Sequence, residues 1–203
     1  MRVKKIKLED IQKQIVESID VKSQILEDPN IMGQVRELAQ ACSQSLQIGG
    51  KVAFCGNGGS FADAQHLSAE FTSRFLFDRP GLASITLGTN SSTITAVGND
   101  YGFEDVFSRE IESVLKPEDI LIAITTSGKS PNILKALSAA KRVGVVAFAL
   151  SGQSGGQLPS DISIIKIPSH VTARIQECHI LIGHIICGLV EFDIFGSEAS
   201  DNE

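Results

Sequence analysis

The first 48 residues place apolar side chains at the three- and four-residue spacing of an α-helix. The spacing is interrupted at Asp28-Pro29-Asn30, and a proline within an otherwise helical pattern marks the boundary between two helices. The apolar positions are Leu8, Ile11, Ile15, Ile19 and Val21, then Ile31, Val35, Leu38, Cys42 and Leu46. We therefore predict that residues 1–48 form an N-terminal helical hairpin.

After Gly49-Gly50 the pattern changes to short apolar runs separated by longer amphipathic stretches. The runs cover residues 52–55, 83–87, 120–124, 145–150 and 162–167, and the amphipathic stretches cover 60–76, 103–115, 131–142 and 171–195. Such runs are typical of parallel strands that are buried on both faces by crossover helices. We predict an α/β fold, a doubly wound parallel sheet flanked by helices. Its core and C-terminal helix occupy 51–195, and residues 1–203 form a single domain.

Charge and cysteine content limit the classes of function. The 203 residues include 18 Lys and Arg against 24 Asp and Glu, and the net charge of −6 argues against a nucleic-acid or membrane-surface protein. The basic N-terminus has no apolar segment of the kind found in signal peptides, and no run of about 18 apolar residues follows. The four cysteines form no CxxC pair, which is typical of reduced thiols. We expect a cytoplasmic protein.

Two segments that follow predicted strands have the composition of phosphate-binding loops. Residues 56–60 read Gly-Asn-Gly-Gly-Ser, and residues 125–131 read Thr-Thr-Ser-Gly-Lys-Ser-Pro. Glycine allows close approach of an anion, hydroxyls donate hydrogen bonds, and the next helix begins with free N–H groups. Ordinary strand-to-helix turns remain the alternative. Ala123 breaks the P-loop motif and Phe61 the dinucleotide fingerprint, so we expect no nucleotide cofactor.

The helix predicted over 60–76 carries His66 and Glu70, which four-residue spacing places on one face. This spacing suits two ligands of a divalent metal or a general acid/base pair, although a solvated surface pair has the same spacing. The last helix carries His179 and His184 in an apolar stretch. His184 is either a hydrogen-bonded core histidine or a site residue. His179 lies about 140° around the helix from it, so the two should not cluster.

Four segments, taken together, resemble the phosphoheptose isomerases, a family with the SIS (sugar isomerase) fold. They are residues 57–60 with Asp63, His66 and Glu70; residues 97–103; residues 126–130; and residues 173–177 with His184. The segments occur in the order of the family, and the resemblance covers almost the whole chain. Each segment alone would be a weak signal, whereas the combination is specific.

The resemblance implies an aldose-ketose isomerase that converts sedoheptulose 7-phosphate to D-glycero-D-manno-heptose 7-phosphate for surface-glycan heptose biosynthesis. It implies that Glu70 and His184 are catalytic and that zinc, one ion per subunit, is bound by His66, Glu70, Gln176 and His184. The implied substrate-binding residues are Asn57, Gly58, Gly59, Ser60, Glu70, Asn99, Asp100, Thr125, Thr126, Ser127, Ser130 and Gln176. A homotetramer with active sites between subunits is also implied.

Two departures from the family are visible, because some members have serine at the position of Thr125 and aspartate at that of Ala173. Two other functions compete with catalysis. One is a non-catalytic SIS protein that binds a replication initiator, whose relatives lack the glutamate and the late histidine that are present here as Glu70 and His184. The other is a regulator that senses a sugar phosphate without turning it over.

Overall fold

Five parallel strands form the centre of the molecule, in the order β2-β1-β3-β4-β5. The computed structural model describes residues 6–199. The strands are β1 (Val52–Gly56), β2 (Ser84–Thr86), β3 (Ile120–Ile124), β4 (Val146–Gly152) and β5 (Ser163–Ile167). The helices are α1 (Leu8–Glu27), α2 (Pro29–Gln47), α3 (Gly59–Thr72), α4 (Ser91–Asp100), α5 (Val106–Val114), α6 (Pro131–Val143) and α7 (Thr172–Ala199), with a 3-10 turn at Phe103–Asp105. The predicted α/β class is confirmed, as is the helical hairpin over the described residues; residues 1–5 of the hairpin prediction lie outside them.

Helices cover both faces of the sheet, because successive strand side chains point to opposite sides. Phe54 and Ile122 pack with α1, α2, α3 and α7 on one face, whereas Ala53 and Leu121 pack with α5 and α6 on the other. The turn between α1 and α2 is fixed by Asp28, whose carboxylate accepts hydrogen bonds from the first backbone N–H groups of α2. Each face of the sheet therefore has its own apolar core.

Two predicted elements differ from the structure. Helix α4 was not predicted, since none of its residues is buried within the described chain and no apolar stripe marks it. Helix α3 ends at Thr72, four residues before the predicted end. Arg79 folds back and donates hydrogen bonds to the carbonyl oxygens of Glu70 and Phe71, and these bonds take the place of a further helical turn.

Helix α7 lies in the core on the face shared with α1, α2 and α3. Among the described residues, its segment Thr172–Gly196 is long and apolar enough to cross a membrane by length and composition. It is packed against three other helices, and core helices meet the same criterion. All four cysteines are buried free thiols, as expected.

His179 of α7 is completely buried, and within residues 6–199 neither of its ring nitrogens has a hydrogen-bond partner. Burial lowers the pKa of His179 to about 4, and the nearby backbone of Ser151 offsets this only in part. His179 is therefore a neutral core histidine, separate from His184 as the helical period predicted.

Acidification is expected to destabilise the protein through His179. The unfolded chain takes up a proton at this residue near pH 6.5, whereas the folded chain does so only near pH 4. The free energy of unfolding should fall as pH drops between these values, by about 3 kcal/mol in total. Denaturant unfolding gives the free energy of unfolding of wild type and of His179→Leu at each pH in this range. The free energy should fall more steeply with decreasing pH in wild type than in His179→Leu. Equal dependence on pH in the two proteins would contradict the role of His179.

Candidate functional site

The carboxyl ends of β1 and β3 meet where the direction of strand order reverses. From β1 the sheet continues to β2 on one side and to β3 on the other. Ligands of open α/β sheets bind in the crevice at this point. The loop from β1 to α3 and the loop from β3 to α6 both leave the sheet here, so the two predicted phosphate loops are neighbours.

A pair of side-chain amides joins these loops. The Nδ2 atom of Asn57 donates to Oδ1 of Asn132 at 2.9 Å, and Nδ2 of Asn132 donates to Oδ1 of Asn57 at 2.8 Å. Asn132 is buried in the first turn of α6. Each amide keeps one N–H and one oxygen lone pair, so Asn57 can still bind a ligand. Asn132 was not predicted as a site residue, although it directly follows the loop at Pro131.

The loop after β3 is held by its own hydroxyls. Buried Thr125 accepts a hydrogen bond from the Gly128 N–H, and exposed Ser127 accepts one from the Lys129 N–H. Gly128 has a φ of 63° and packs so closely on Gly155 that a Cβ atom would collide with its carbonyl. Ser130 is the N-cap of α6, yet among the described residues its side chain makes no capping hydrogen bond. Its hydroxyl is therefore available to a ligand.

The loop after β1 brings backbone close to a predicted site residue. Gly58 has a φ of 55° and directly precedes α3, whose second residue, Ser60, is buried. A Cβ atom on Gly59 would lie 2.5 Å from Nε2 of Gln176. The absence of a side chain at Gly59 thus lets Gln176 lie against the first turn of α3.

Three predicted site residues form a cluster farther along α3. One ligand atom from each of His66, Glu70 and His184 lies within 4.8 Å of the others. Nε2 of His66 is 2.8 Å from Nε2 of His184 and 3.2 Å from Oε1 of Glu70. The cluster is half-open to solvent. Two imidazoles and a carboxylate suit a zinc-like divalent ion or acid/base chemistry.

Gln176 does not join this cluster within one chain. Helices α3 and α7 run in the same direction, since Gly59 contacts Gln176 and His66 contacts His184. His66 is seven residues beyond Gly59, a rise of about 10 Å along the helix. Gln176 and His184 therefore lie apart in the folded chain, as their spacing along α7 predicts.

Asn99 and Asp100 lie at the C-terminal end of α4, and both are exposed. Nδ2 of Asn99 donates a hydrogen bond to Oδ1 of Asp100 at 2.8 Å. In the part of the chain that the structure describes, no hydrogen bond links either residue to the other predicted site residues. Their predicted contact with the sugar stays a prediction.

Two further residues border the cluster. The ring of Phe75 stacks on His184 with centroids 5.4 Å apart and an interplanar angle of 21°. Asp63 has a buried Oδ2 atom without a hydrogen-bond partner in the described chain. Burial raises the pKa of Asp63, while the adjacent His66 and His184 act in the opposite direction. Asp63 lies three residues before His66 on α3, and this helical spacing could have indicated it as a site residue. No feature of the sequence predicted the contact of Phe75 with His184.

Comparison with known proteins identifies the family. The SIS domain profile matches residues 15–152. A phosphoheptose isomerase of Burkholderia pseudomallei is 47% identical over 185 residues, which cover 91% of this chain and 94% of the relative. Phosphoheptose isomerase 2 of Campylobacter jejuni is 49% identical over 181 residues, which cover 89% and 90%. The chain belongs to the phosphoheptose isomerase family of SIS-domain proteins.

Solved structures of phosphoheptose isomerases are similar to this chain over nearly their full length. The one from Francisella tularensis has a TM-score of 0.84 and 37% identity, over 92% of this chain and 98% of that chain. The one from Neisseria gonorrhoeae has a TM-score of 0.83 and 37% identity, over 90% and 97%. Because almost the full length of each relative is matched, the fold predicted from the family resemblance is confirmed.

Proposed function

We propose that this chain is an aldose-ketose isomerase that converts sedoheptulose 7-phosphate to D-glycero-D-manno-heptose 7-phosphate, which supplies heptose for surface glycans such as lipopolysaccharide. Its relatives at 47% and 49% identity are phosphoheptose isomerases. The observation that carries the proposal is the position of Glu70 on α3 beside His184 on the neighbouring helix α7. A carboxylate and an imidazole at this distance can act on one substrate.

Isomerisation moves one proton between C1 and C2 of the sugar through an enediol. The Glu70 carboxylate takes a proton from C1 of the ketose while His184 donates a proton to O2, which gives the enediol. His184 then accepts the proton of O1, and Glu70 returns its proton to C2, which gives the aldose. Both residues end in their starting state. Binding the remote phosphate holds C1 and C2 against the pair, so part of the rate enhancement is positional.

The phosphate is bound by the loop before α6. The Ser130 hydroxyl makes no capping hydrogen bond among the described residues, and Ser127 is exposed. Pro131 has no N–H, so the Asn132 N–H is the first that α6 offers to an anion. Neither loop contains an arginine, and the loop before α6 contains one lysine, Lys129. The proposal assigns most of the hydrogen bonds to hydroxyls and backbone N–H groups.

Ser127→Ala combined with Ser130→Ala is expected to weaken substrate binding while kcat of the bound complex changes less. Loss of two hydrogen bonds to a charged group should raise KM by about 100-fold. Steady-state kinetics and titration with inorganic phosphate measure both effects. Ser138→Ala, on the exposed side of the same helix, is the control. Unchanged affinity for substrate and phosphate would place the phosphate site elsewhere.

Zinc is the proposed metal, held by His66, Glu70 and His184, with Gln176 as the fourth ligand. The three clustered donors fit a zinc-like ion, although an amide oxygen is an uncommon ligand. A bound divalent ion would polarise sugar oxygens. Coordination also competes with proton transfer by Glu70 and His184, so we expect the metal to modulate turnover.

Metal analysis of the purified protein should find about one zinc-like ion per subunit, which His66→Ala loses. Removal of one imidazole leaves too few strong ligands for tight binding. His170→Ala, a change at an exposed histidine outside the cluster, is the control and should retain the metal. Equal metal content in wild type and His66→Ala would contradict the ligand set, and full activity without metal would exclude a requirement for it.

A homotetramer with active sites between subunits is part of the proposal. Helix α1 exposes Leu8, Ile11, Ile15 and Ile19 on one face, and α7 exposes Leu189. An exposed apolar stripe such as that of α1 is typical of protein interfaces. The expected compartment is the cytoplasm, in keeping with four free cysteines and the packing of α7 against three helices.

A turnover assay with sedoheptulose 7-phosphate tests the function directly. Formation of the aldose by wild type distinguishes the isomerase from a sugar-phosphate sensor and from a protein that binds a replication initiator. Binding of the sugar phosphate without conversion would favour the sensor. If the protein neither binds nor converts the sugar phosphate, the initiator-binding alternative remains.

A further inference from the structure

A buried ion pair lies between the end of α3 and helix α7, outside the proposed chemistry. Nε of Arg79 is 2.9 Å from Oε1 of Glu191, and the side chains are 3% and 0% exposed. Removing two charges from water is costly, and apolar side chains of similar size often stabilise a core equally well. The presence of an ion pair here therefore calls for an explanation other than stability.

Arg79 holds the turn that carries Glu70. Its guanidinium donates to the carbonyl oxygens of Glu70 at 2.8 Å and Phe71 at 2.7 Å, and to Ser73 at 3.0 Å. The last carbonyls of a helix have no donors within the helix, so the chain leaving α3 would otherwise be free to move. The planar guanidinium fixes several of them at once.

Glu191 holds the segment that follows α3. Its carboxylate accepts the backbone N–H of Phe75 at 2.8 Å and that of Leu76 at 2.6 Å. The ring of Phe75 stacks on His184, which lies seven residues before Glu191 on the same side of α7. One ion pair is thus connected to the backbone of Glu70 and to the ring that covers His184.

We propose that Arg79 and Glu191 are positioning residues, which hold Glu70 and His184 in their relative geometry through the end of α3 and through Phe75. The inference rests on the proposed acid/base roles of Glu70 and His184. Both helices contribute to the reacting pair, and displacement of a catalytic group by about 1 Å is enough to slow a reaction severely. The ion pair links the chain at the end of α3 directly to α7.

Glu191→Gln tests the proposal with a side chain of the same shape. The amide keeps one acceptor oxygen but loses the charge and the second acceptor, so the Phe75 segment should loosen. We expect kcat to fall about 10-fold or more with little change in KM. Arg79→Lys keeps the charge but loses the planar group that reaches Glu191 and several carbonyl oxygens at once, and it should have the same effect. Phe75→Leu removes the stacked ring while the ion pair stays intact.

Asp119→Asn, at a second buried ion pair beside the amino ends of β1 and β3, is the matched control. Asp119 is also buried, pairs with Lys51, and accepts the backbone N–H groups of Lys51 and Lys116. Its loss should lower the midpoint of thermal unfolding about as much as Glu191→Gln, without lowering kcat. A similar fall of kcat in both variants would mean that the ion pair acts through stability alone, and the proposal would be wrong.

A second readout does not depend on turnover. The stacked Phe75 ring shifts the NMR signals of the His184 ring protons, and the chain has only four histidines to assign. Glu191→Gln, Arg79→Lys and Phe75→Leu should each move the His184 signals, whereas Asp119→Asn should not. Unmoved signals and unchanged kcat in the folded variants would overturn the positioning role. Absence of turnover in wild type would instead count against the proposed function, since the His184 signals still report on the positioning.

Discussion

Glu70→Gln and His184→Ala are each expected to lower kcat for sedoheptulose 7-phosphate by about 100-fold or more, the usual effect of losing a positioned acid or base. The two side chains reach within 4.8 Å of each other, so one substrate can contact both. Glutamine keeps the size of Glu70 but cannot accept a proton from carbon. KM should change less than kcat, because the phosphate loop before α6 is untouched.

Glu112→Gln is the control for Glu70→Gln, since Glu112 is an exposed carboxylate on α5 that pairs with Arg142. This variant should keep wild-type kcat. Circular dichroism and size-exclusion chromatography establish that each variant is folded and assembled. Wild-type turnover in a folded Glu70→Gln or His184→Ala protein would remove that residue from the mechanism.

Strands β1 and β3 could be predicted because they are buried on both faces. All five residues of β1 and of β3 are buried, so each appears in the sequence as an uninterrupted apolar run, and β3 coincides with its prediction at both ends. Helix α4 lacked such a signal, since none of its residues is buried in the described chain. Its only local mark is Asn90, whose side chain accepts hydrogen bonds from the N–H groups of Ser92 and Thr93.

The part of the site that could be predicted from spacing consists of residues close together in the sequence. The spacing of His66 and Glu70 on one helix follows from the helical period. The arrival of His184 beside them depends on the close packing of α7 on α3. Gly183 allows this packing, because a Cβ atom there would collide with the side chain of Leu67. Contacts between residues far apart in the chain, such as His66 with His184 at 118 positions or Asn57 with Asn132 at 75, require the tertiary fold.

The position of Gln176 leads to the second prediction, which concerns assembly. Its amide lies against Gly59 at the start of α3, whereas His66, Glu70 and His184 cluster about two turns farther along. The proposed four-residue set therefore cannot close within one chain as folded. We expect it to close when a neighbouring subunit supplies Gln176, which would make assembly a condition for full activity.

Mixing Gln176→Ala subunits with His184→Ala subunits should restore turnover that neither variant has alone. The first variant still supplies His184 and the second still supplies Gln176, so a site shared between them contains both residues. With equal and random mixing, roughly a quarter of the sites would be complete if each takes the two residues from different chains. Each variant, dissociated and reassembled by itself, is the control, and native mass spectrometry establishes that mixed assemblies have formed. Mixed assemblies without recovery would exclude the shared site, and the rise of about 12 Å along α7 between Gln176 and His184 would then exclude Gln176 from the ligand set.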